Sequence, residues 1–462
     1  MGVSVVVLAA GDGKRMRSRL PKVMHRIGGR PLLGHVLAAV AQLSPERTVV
    51  VVSPRRAEIE QGLGAAANGI TLAVQDPPRG TADAARVGLD ALGGVKGEVV
   101  VLPGDTPLIT GRTLVALLEA HRSAGAAATL LTARAADPTG YGRVLRGADG
   151  GVSAIVEERD ASDEQRQVDE INSGVYVFDA ARLGALVGKV GSANAQDEYY
   201  LTDVIELLRA EGDAVAAFTT DEDEVRGVNS RAQLAEAGTL MRARVCAELM
   251  EGGVTIIDPA TTYIDATVTV EPDATILPFT FLEGETVVRR GAEVGPNSRL
   301  VDTEVGEDAR ITYSVARAAR LGPRSSVGPY ATLRPGTELG EGARLGSFVE
   351  TKNARLGPNS KANHLSYLGD ADIGANVNIG AGTITCNWDG RAKHRTVIED
   401  DVYISSDTML VAPVRLGQGA ATGAGAVVRD DVPPGALAVG VPARIVEGKG
   451  NRIRLRGGGE ND

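Results

Sequence analysis

The stretch "IGANVNIGAG", residues 373–382, sets Ile373 and Ile379 six positions apart, each followed by glycine. The same spacing recurs in "LGPRSSVGPY" (321–330) and "LGEGARLGSF" (339–348). Reading outward, the aliphatic phase runs through Val288, Val294 and Leu300, through Leu321, Val327, Leu333, Leu339 and Leu345, and through Ile404, Leu410, Leu416, Thr422 and Val428. One inward aliphatic residue per six is the signature of a parallel β-helix, whose stacked coils bury a narrow core. Such a prism has little room for large rings, in keeping with an aromatic content of 3%. "FVETKNAR" (348–355) and "CNWDGRAKH" (386–394) break the rhythm. Insertions in solenoids become loops projected from one face, so both segments are expected to project.

Up to about residue 229 the pattern differs. Apolar runs at 4–8, 48–53, 71–75 and 98–102 alternate with alanine- and leucine-rich stretches, which predicts a mostly parallel, Rossmann-like α/β sheet. Residues 230–250 have no proline and show apolar residues at helical spacing, which predicts a linking helix. The expected organisation is therefore an α/β domain over 1–229, a helix over 230–250, a β-helix over 251–446 and a mobile tail over 447–462, which is glycine-rich and charged.

At 462 residues the chain is long for one core. Its 59 acidic and 49 basic residues give a net charge of −10, which argues against a general nucleic-acid surface. The apolar start ends at Ala10 in glycines and charge and is too short to span a bilayer, so it is expected to be the first strand of the fold. Two cysteines, Cys246 and Cys386, make neither a disulfide framework nor a metal spacing, so a reducing cytoplasm is the expected compartment.

Against that acidic background "LAAGDGKRMRSRLPK" (8–22) concentrates glycines and cations after an apolar strand, as a phosphate cradle would. It lacks the Gly-Lys-Ser/Thr of a P-loop, and Met16 stands where a dinucleotide fingerprint needs glycine. Ligands of such sheets gather beyond the strands' carboxyl ends, where "QDPPRGTADA" (75–84) and "LPGDTPL" (102–108) also fall.

These segments, with "GYGR" (140–143), "IVEERDA" (155–161), "EINSGV" (170–175), "GVNSRAQL" (227–234), "FVETKNARLG" (348–357), "NHLSYLGDADIG" (363–374) and "NIGAGTITCN" (378–387), resemble a known family over essentially the full length. It is that of the bacterial bifunctional N-acetylglucosamine-1-phosphate uridylyltransferase / glucosamine-1-phosphate N-acetyltransferase. The resemblance implies a left-handed β-helix in the second half, and a homotrimer with acetyl-transfer sites shared between subunits. For the first half it implies transfer of uridylyl from UTP to N-acetylglucosamine 1-phosphate. Lys22 and Arg15 would meet the phosphates, with Leu8 and the backbone of Ala10 and Gly11 beside the nucleotide. Gln75, Gly80 and Thr81 would read uracil, and Gly142, Glu157 and Asn172 would hold the sugar. Asp105 and Asn229 would hold Mg²⁺. The nucleophile is already an anion, so this step needs alignment and charge neutralisation more than a base. An Asp after a strand is, by itself, often only a turn or cap.

For the second half the resemblance implies acetyl transfer from acetyl-CoA to glucosamine 1-phosphate. An ammonium cannot attack a thioester, and His364 would take its proton. Glu350 would orient or polarise that ring. Arg334 and Lys352 would bind the sugar phosphate, and Tyr367, Asn378, Asn387, Trp388 and Lys393 would line the sugar. Ser406, Ala424 and Arg444 would meet acetyl-CoA. Three positions depart from the family pattern: Pro103 for the usual Tyr, Trp388 for the usual Tyr, and Arg444 for a CoA-binding arginine that is out of register. Small molecules are thus the expected partners, with no nucleic acid or membrane. The alternatives are a single-function nucleotidyltransferase whose β-helix is structural or regulatory, and a non-catalytic trimeric scaffold.

Overall fold

The computed structural model describes residues 2–11 and 13–449, so most of the expected tail lies outside the described residues. The chain divides into two compact units, Met1–Met241 and Arg242–Asp462. The helix Arg231–Glu251 contains the point of division.

In the first unit, the valine-rich runs form the centre of a twisted sheet. Val3–Ala9 pairs in parallel with Arg47–Val52 on one side and Glu98–Pro103 on the other, and Ile70–Val74 extends the sheet beyond Arg47–Val52. Glu170–Asp179 runs antiparallel between Glu98–Pro103 and Ala128–Arg134 and makes the sheet mixed. Both faces are covered: Val5 and Val7 pack into one core and Val6 into another. This explains the unbroken apolar run, since a strand buried on both sides has no polar face to show. Each buried valine contributes roughly 1.5–3 kcal/mol relative to an exposed one. Val3–Ala9 ends where its neighbours' connections leave in opposite directions, which opens a crevice at the carboxyl ends.

The second unit is a three-sided stack of short parallel strands, a left-handed parallel β-helix. Every aliphatic residue of the six-residue phase named above is buried, and so is Thr422. Ile276 pairs with Val294 18 residues on, Val294 with Ile311 17 on, and Ile311 with Val327 16 on, so coils vary in length while the inward phase is kept. Buried threonines at the corners donate their hydroxyls to nearby carbonyls, as Thr280 does to Leu277 and Thr383 to Gly380, both at 2.7 Å, whereas the buried Thr396 hydroxyl has no partner among the described residues.

One expectation about the breaks is corrected. Residues 348–355 do not project as a loop: Glu350–Leu356 is a single strand that turns a corner of the prism, and Leu345 pairs with Ala362 17 residues on. The rhythm there loses a residue, and Asn353, held at φ 47°, absorbs the corner. The true insertion is 386–394, where Ile379 pairs with Ile404 25 residues on.

Candidate active sites

The crevice of the first unit encloses about 630 Å³. The glycine-rich loop places Leu8, Ala10, Gly11, Arg15 and Lys22 on its wall. Asp105, from the turn after Glu98–Pro103, and Asn229, from the segment before the long helix, face Lys22 across it. The Lys22 ammonium donates to the Asp105 carboxylate and, at 2.9 Å, to Asn229 Oδ1. Backbone bonds fix this pair of oxygens: Gly104 N–H donates to Leu8 O at 2.8 Å, and Val228 N–H to Asp105 O at 2.9 Å. A cation therefore already lies between a carboxylate and an amide oxygen, the donor set of a hard divalent ion. Pro103 ends its strand opposite Leu8 and stands on the same wall.

On the far wall lie Gln75, Gly80 and Thr81. Gly80 holds φ 113° while Tyr199 backbone presses against it, so that an added Cβ would stand 2.5 Å from Tyr199 O. Only glycine fits there. Thr81 Oγ1 accepts from Leu201 N–H at 2.9 Å, tying the helix Thr81–Leu92 to the segment 199–202.

Glu157 and Asn172 also line the crevice, whereas Gly142 stands behind them and gives its carbonyl to Asn172 N–H at 2.8 Å. Burial above all raises the Glu157 carboxyl, and the neighbouring Asp203, Asp160 and Glu198 charges add to this against one hydrogen bond from Thr202. Asn172 Nδ2 donates to the buried Tyr176 hydroxyl at 2.7 Å, and Asn172 Oδ1 accepts from Gly174 N–H at 3.2 Å, which sets the amide's orientation.

On the β-helix, strand register collects the second constellation. Ser347 and His364 are paired across neighbouring coils, and the same register carries on through Ala381 and Ser406 to Ala424. With coils about 4.8 Å apart, His364 and Ser406 lie about 10 Å apart along one corner, with Ala424 one coil further. All three are exposed. A second column stacks Lys352 beside Gly369, with Arg334 one coil before Lys352. The Lys393 ammonium, and next the Arg334 guanidinium, push the Lys352 ammonium below its ordinary range. Arg334, Lys352 and Lys393 thus bring three cations together beside the Glu350 and Asp370 carboxylates, a gathering of positive charge suited to a dianion.

Among the described residues, Glu350 is hydrogen-bonded to Arg334 and not to His364. Its carboxylate takes a hydrogen bond from Arg334 at 2.9 Å, because Glu350 is paired with Thr332 on the preceding coil and Arg334 follows on the same face. Tyr367 is next in that column, and its hydroxyl lies over Gly369, where an added Cβ would meet Tyr367 Oη at 2.4 Å and Asn387 Nδ2 at 2.7 Å. Asn378 is half-buried one position before the inward Ile379. Asn387 is buried, its amide donating to Asp370 at 2.6 Å. Trp388 and Lys393 bridge the base of the inserted hairpin. Arg444 is exposed on the antiparallel terminal strand Arg444–Val446.

The nucleotidyl transferase family model matches residues 4–224. A protein of Thermobifida fusca named Bifunctional protein GlmU is 53% identical over 457 residues, covering 98% of this chain and 94% of its own. Proteins of the same name from Streptomyces coelicolor and Clavibacter sepedonicus are 51% and 49% identical, covering 94% and 96% of this chain and 91% of each relative. The chain belongs to the bifunctional GlmU family. Its GlmU-type crevice also uses residues that sequence reasoning missed. Glu198 and Thr202 reach it from "DEYYLTD" (197–203), where no repeat or glycine signal marks a site, and Tyr176 reaches it from inside a strand. On the β-helix the missed residue is Asp370, which accepts from Asn353 at 2.7 Å as well as from Asn387. It was legible only as part of "NHLSYLGDADIG".

Proposed function

We propose that the chain makes UDP-N-acetylglucosamine in two steps, acetylating glucosamine 1-phosphate with acetyl-CoA on the β-helix and then joining the product to UMP from UTP in the crevice, with release of pyrophosphate. The observation that carries this reading is the presence of both constellations in one chain that matches GlmU relatives over 94–98% of its length.

In the acetyl transfer, Arg334, Lys352 and Lys393 take the phosphate dianion and so place the amine near His364. The neutral imidazole accepts the ammonium proton, which frees the nitrogen lone pair for the thioester carbonyl. Ser406 lies along the same corner, placed to donate to the developing oxyanion, and Ala424 and Arg444 lie further toward the CoA arm and its phosphates. In the uridylyl transfer, Lys22 and Arg15 neutralise the triphosphate, while the backbone of Ala10 and Gly11 admits it closely. Gln75, Gly80 and Thr81 hold the uracil, and Glu157 and Asn172 the N-acetyl sugar, with Gly142 bracing Asn172 from behind. Mg²⁺ would be held by Asp105 and Asn229, a reading supported by their carboxylate and amide oxygens converging on one cation, and would supply further neutralisation of phosphate charge.

A homotrimer is supported by an exposed ridge on the β-helix. Tyr313, Tyr330, Phe348 and Leu365 are 41%, 56%, 59% and 62% exposed, all with positive φ, and the Tyr330 and Phe348 rings stack at 5.4 Å. Large side chains at such strained, wet positions are costly unless covered. Leu365 follows His364, so a subunit seated on the ridge would border the acetyl-transfer site. Among the described residues, no helix is long and apolar enough to cross a membrane, which fits a cytoplasmic enzyme acting on small molecules. Thiol release from acetyl-CoA and pyrophosphate release from UTP, each dependent on its sugar phosphate, test the two halves separately.

A further inference from the structure

Gln75 is buried, and its Nε2 donates two hydrogen bonds, to Gly80 O at 3.1 Å and to Asp83 Oδ2 at 2.9 Å. Both partners, a backbone carbonyl and a carboxylate, can only accept. The amide is therefore held in one of its two orientations, with both N–H groups used inside the protein and Oε1 left as an acceptor. Asp83 is itself held: its other oxygen, Oδ1, takes a hydrogen bond from Arg86 at 2.8 Å. Burial works against ionisation of Asp83, but the hydrogen bonds from Gln75 and Arg86 and the Arg79 charge outweigh it and keep the carboxyl below its usual range.

Resting on the UTP reading above, we infer that Asp83, anchored by Arg86, locks the Gln75 amide so that the crevice offers an acceptor to the base and thereby selects uracil over cytosine. Uracil N3 carries a hydrogen and donates to such an acceptor. Cytosine N3 carries a lone pair there, so the same oxygen meets it with repulsion. Asp83 does not line the crevice, so it acts as a specificity-determining residue through Gln75. One mispaired buried group of this kind corresponds to about 10- to 100-fold in discrimination.

The chain Arg86–Asp83–Gln75 makes an unusual prediction about Asp83→Asn. The asparagine must turn its oxygen toward the Arg86 guanidinium, the more demanding donor, and so presents its NH₂ to Gln75. That sets the asparagine NH₂, which needs Oε1, against the Gly80 carbonyl, which still takes an N–H, so the Gln75 amide loses its single orientation and offers Nε2 to the base in part of the molecules. Removing Arg86 as well frees the asparagine to turn back.

The experiment measures kcat/KM for pyrophosphate release with UTP and with CTP on the full-length protein, Asp83→Ala, Asp83→Asn and Asp83→Asn/Arg86→Ala. The expected UTP:CTP ratio falls in Asp83→Ala, falls further in Asp83→Asn, by at least about tenfold, chiefly through KM for UTP, and is largely restored in the double variant. A ratio unchanged in either folded single variant overturns the inference, as does a ratio that stays low in the double variant. Should Asp83→Asn not fold, Asp83→Ala alone decides by the same criterion. Absence of UTP turnover by the unsubstituted protein would instead overturn the uridylyltransferase reading, and this inference with it.

Discussion

The Lys22 ammonium sits against the Asp105 carboxylate, although the two are 83 residues apart in sequence. Their side chains are only 11% and 16% exposed, so the pair is shielded from solvent, and Asn229 Oδ1 completes the cation's surroundings at 2.9 Å. The ammonium proposed to meet phosphate thus sits between two oxygens suited to a divalent ion.

Asp105→Ala removes the countercharge and leaves the Lys22 ammonium half-buried. Uridylyl transfer is expected to fall about 10²-fold or more, as when one preorganised electrostatic group is lost. Stability falls by about 2 kcal/mol, less than the 3–5 typical of a fully buried pair, as calorimetry would read. Acetyl transfer by the same protein stays at its original rate.

Asp203 opens the helix Asp203–Ala210, and burial first, then Glu206 and Asp160, push its carboxyl up to about 6. A carboxyl raised in the fold favours the protonated state, so its ionisation destabilises the fold above about pH 6, and the penalty disappears as pH falls below the unfolded value near 4. Asp203→Asn should therefore raise Tm at pH 8 and leave it almost unchanged at pH 4. Thermal scans at the two pH values would show an equal gain at both if the account were wrong.

Asp389 accepts from the N–H groups of Arg391 and Ala392, each at 2.7 Å, and from His394 Nε2 at 2.7 Å, and these contacts hold it at about 2. Its folded value is depressed, so the clasp is intact above the unfolded value near 4 and is lost as pH falls toward about 2. Trp388 is the one tryptophan of the chain, so its fluorescence reports on this hairpin alone. Asp389→Ala should shift Trp388 emission at pH 7 and weaken acetyl transfer, because Lys393 is then no longer held beside Lys352. Unchanged emission would show that Asp389 does not close the hairpin.

Tyr330 and Phe348, stacked and exposed on the β-helix corner, are the place to test assembly. Replacing both with aspartate puts charge on the ridge while leaving the inward aliphatic phase intact. Light scattering should then give one-third of the original mass, with uridylyl transfer retained. A mass unchanged by the double substitution would remove the ridge from the interface.

Much of this architecture was legible in the sequence because it rests on local periodicity. Val3–Ala9 and Arg47–Val52 announce themselves as buried strands, and the six-residue phase through Leu321 to Leu345 reports which side chains face inward. Residue spacing could not distinguish a lost residue from an inserted one at 348–355, since both break the phase and only strand pairing tells them apart. The partner of Glu350 was hidden for a related reason: register places Arg334 beside it, 16 positions earlier in sequence. Thr202 and Glu198 enter their site through tertiary packing that no local pattern encodes, and the bonds of Asp370 to Asn353 and Asn387 depend on coil register rather than on its own motif. The Gln75 lock escaped notice because it is a matter of donors and acceptors in three dimensions, although Gln75 and Asp83 stand within one motif.

The central claim is that one chain carries two separable reactions, and His364→Ala tests it most directly. Thiol release from acetyl-CoA should require glucosamine 1-phosphate and should fall by about 10²- to 10⁴-fold in the variant, while pyrophosphate release from UTP and N-acetylglucosamine 1-phosphate is unchanged. Thiol release that persists in His364→Ala, or that is missing from the folded unsubstituted protein, would contradict it and leave the β-helix a structural partner of a uridylyltransferase.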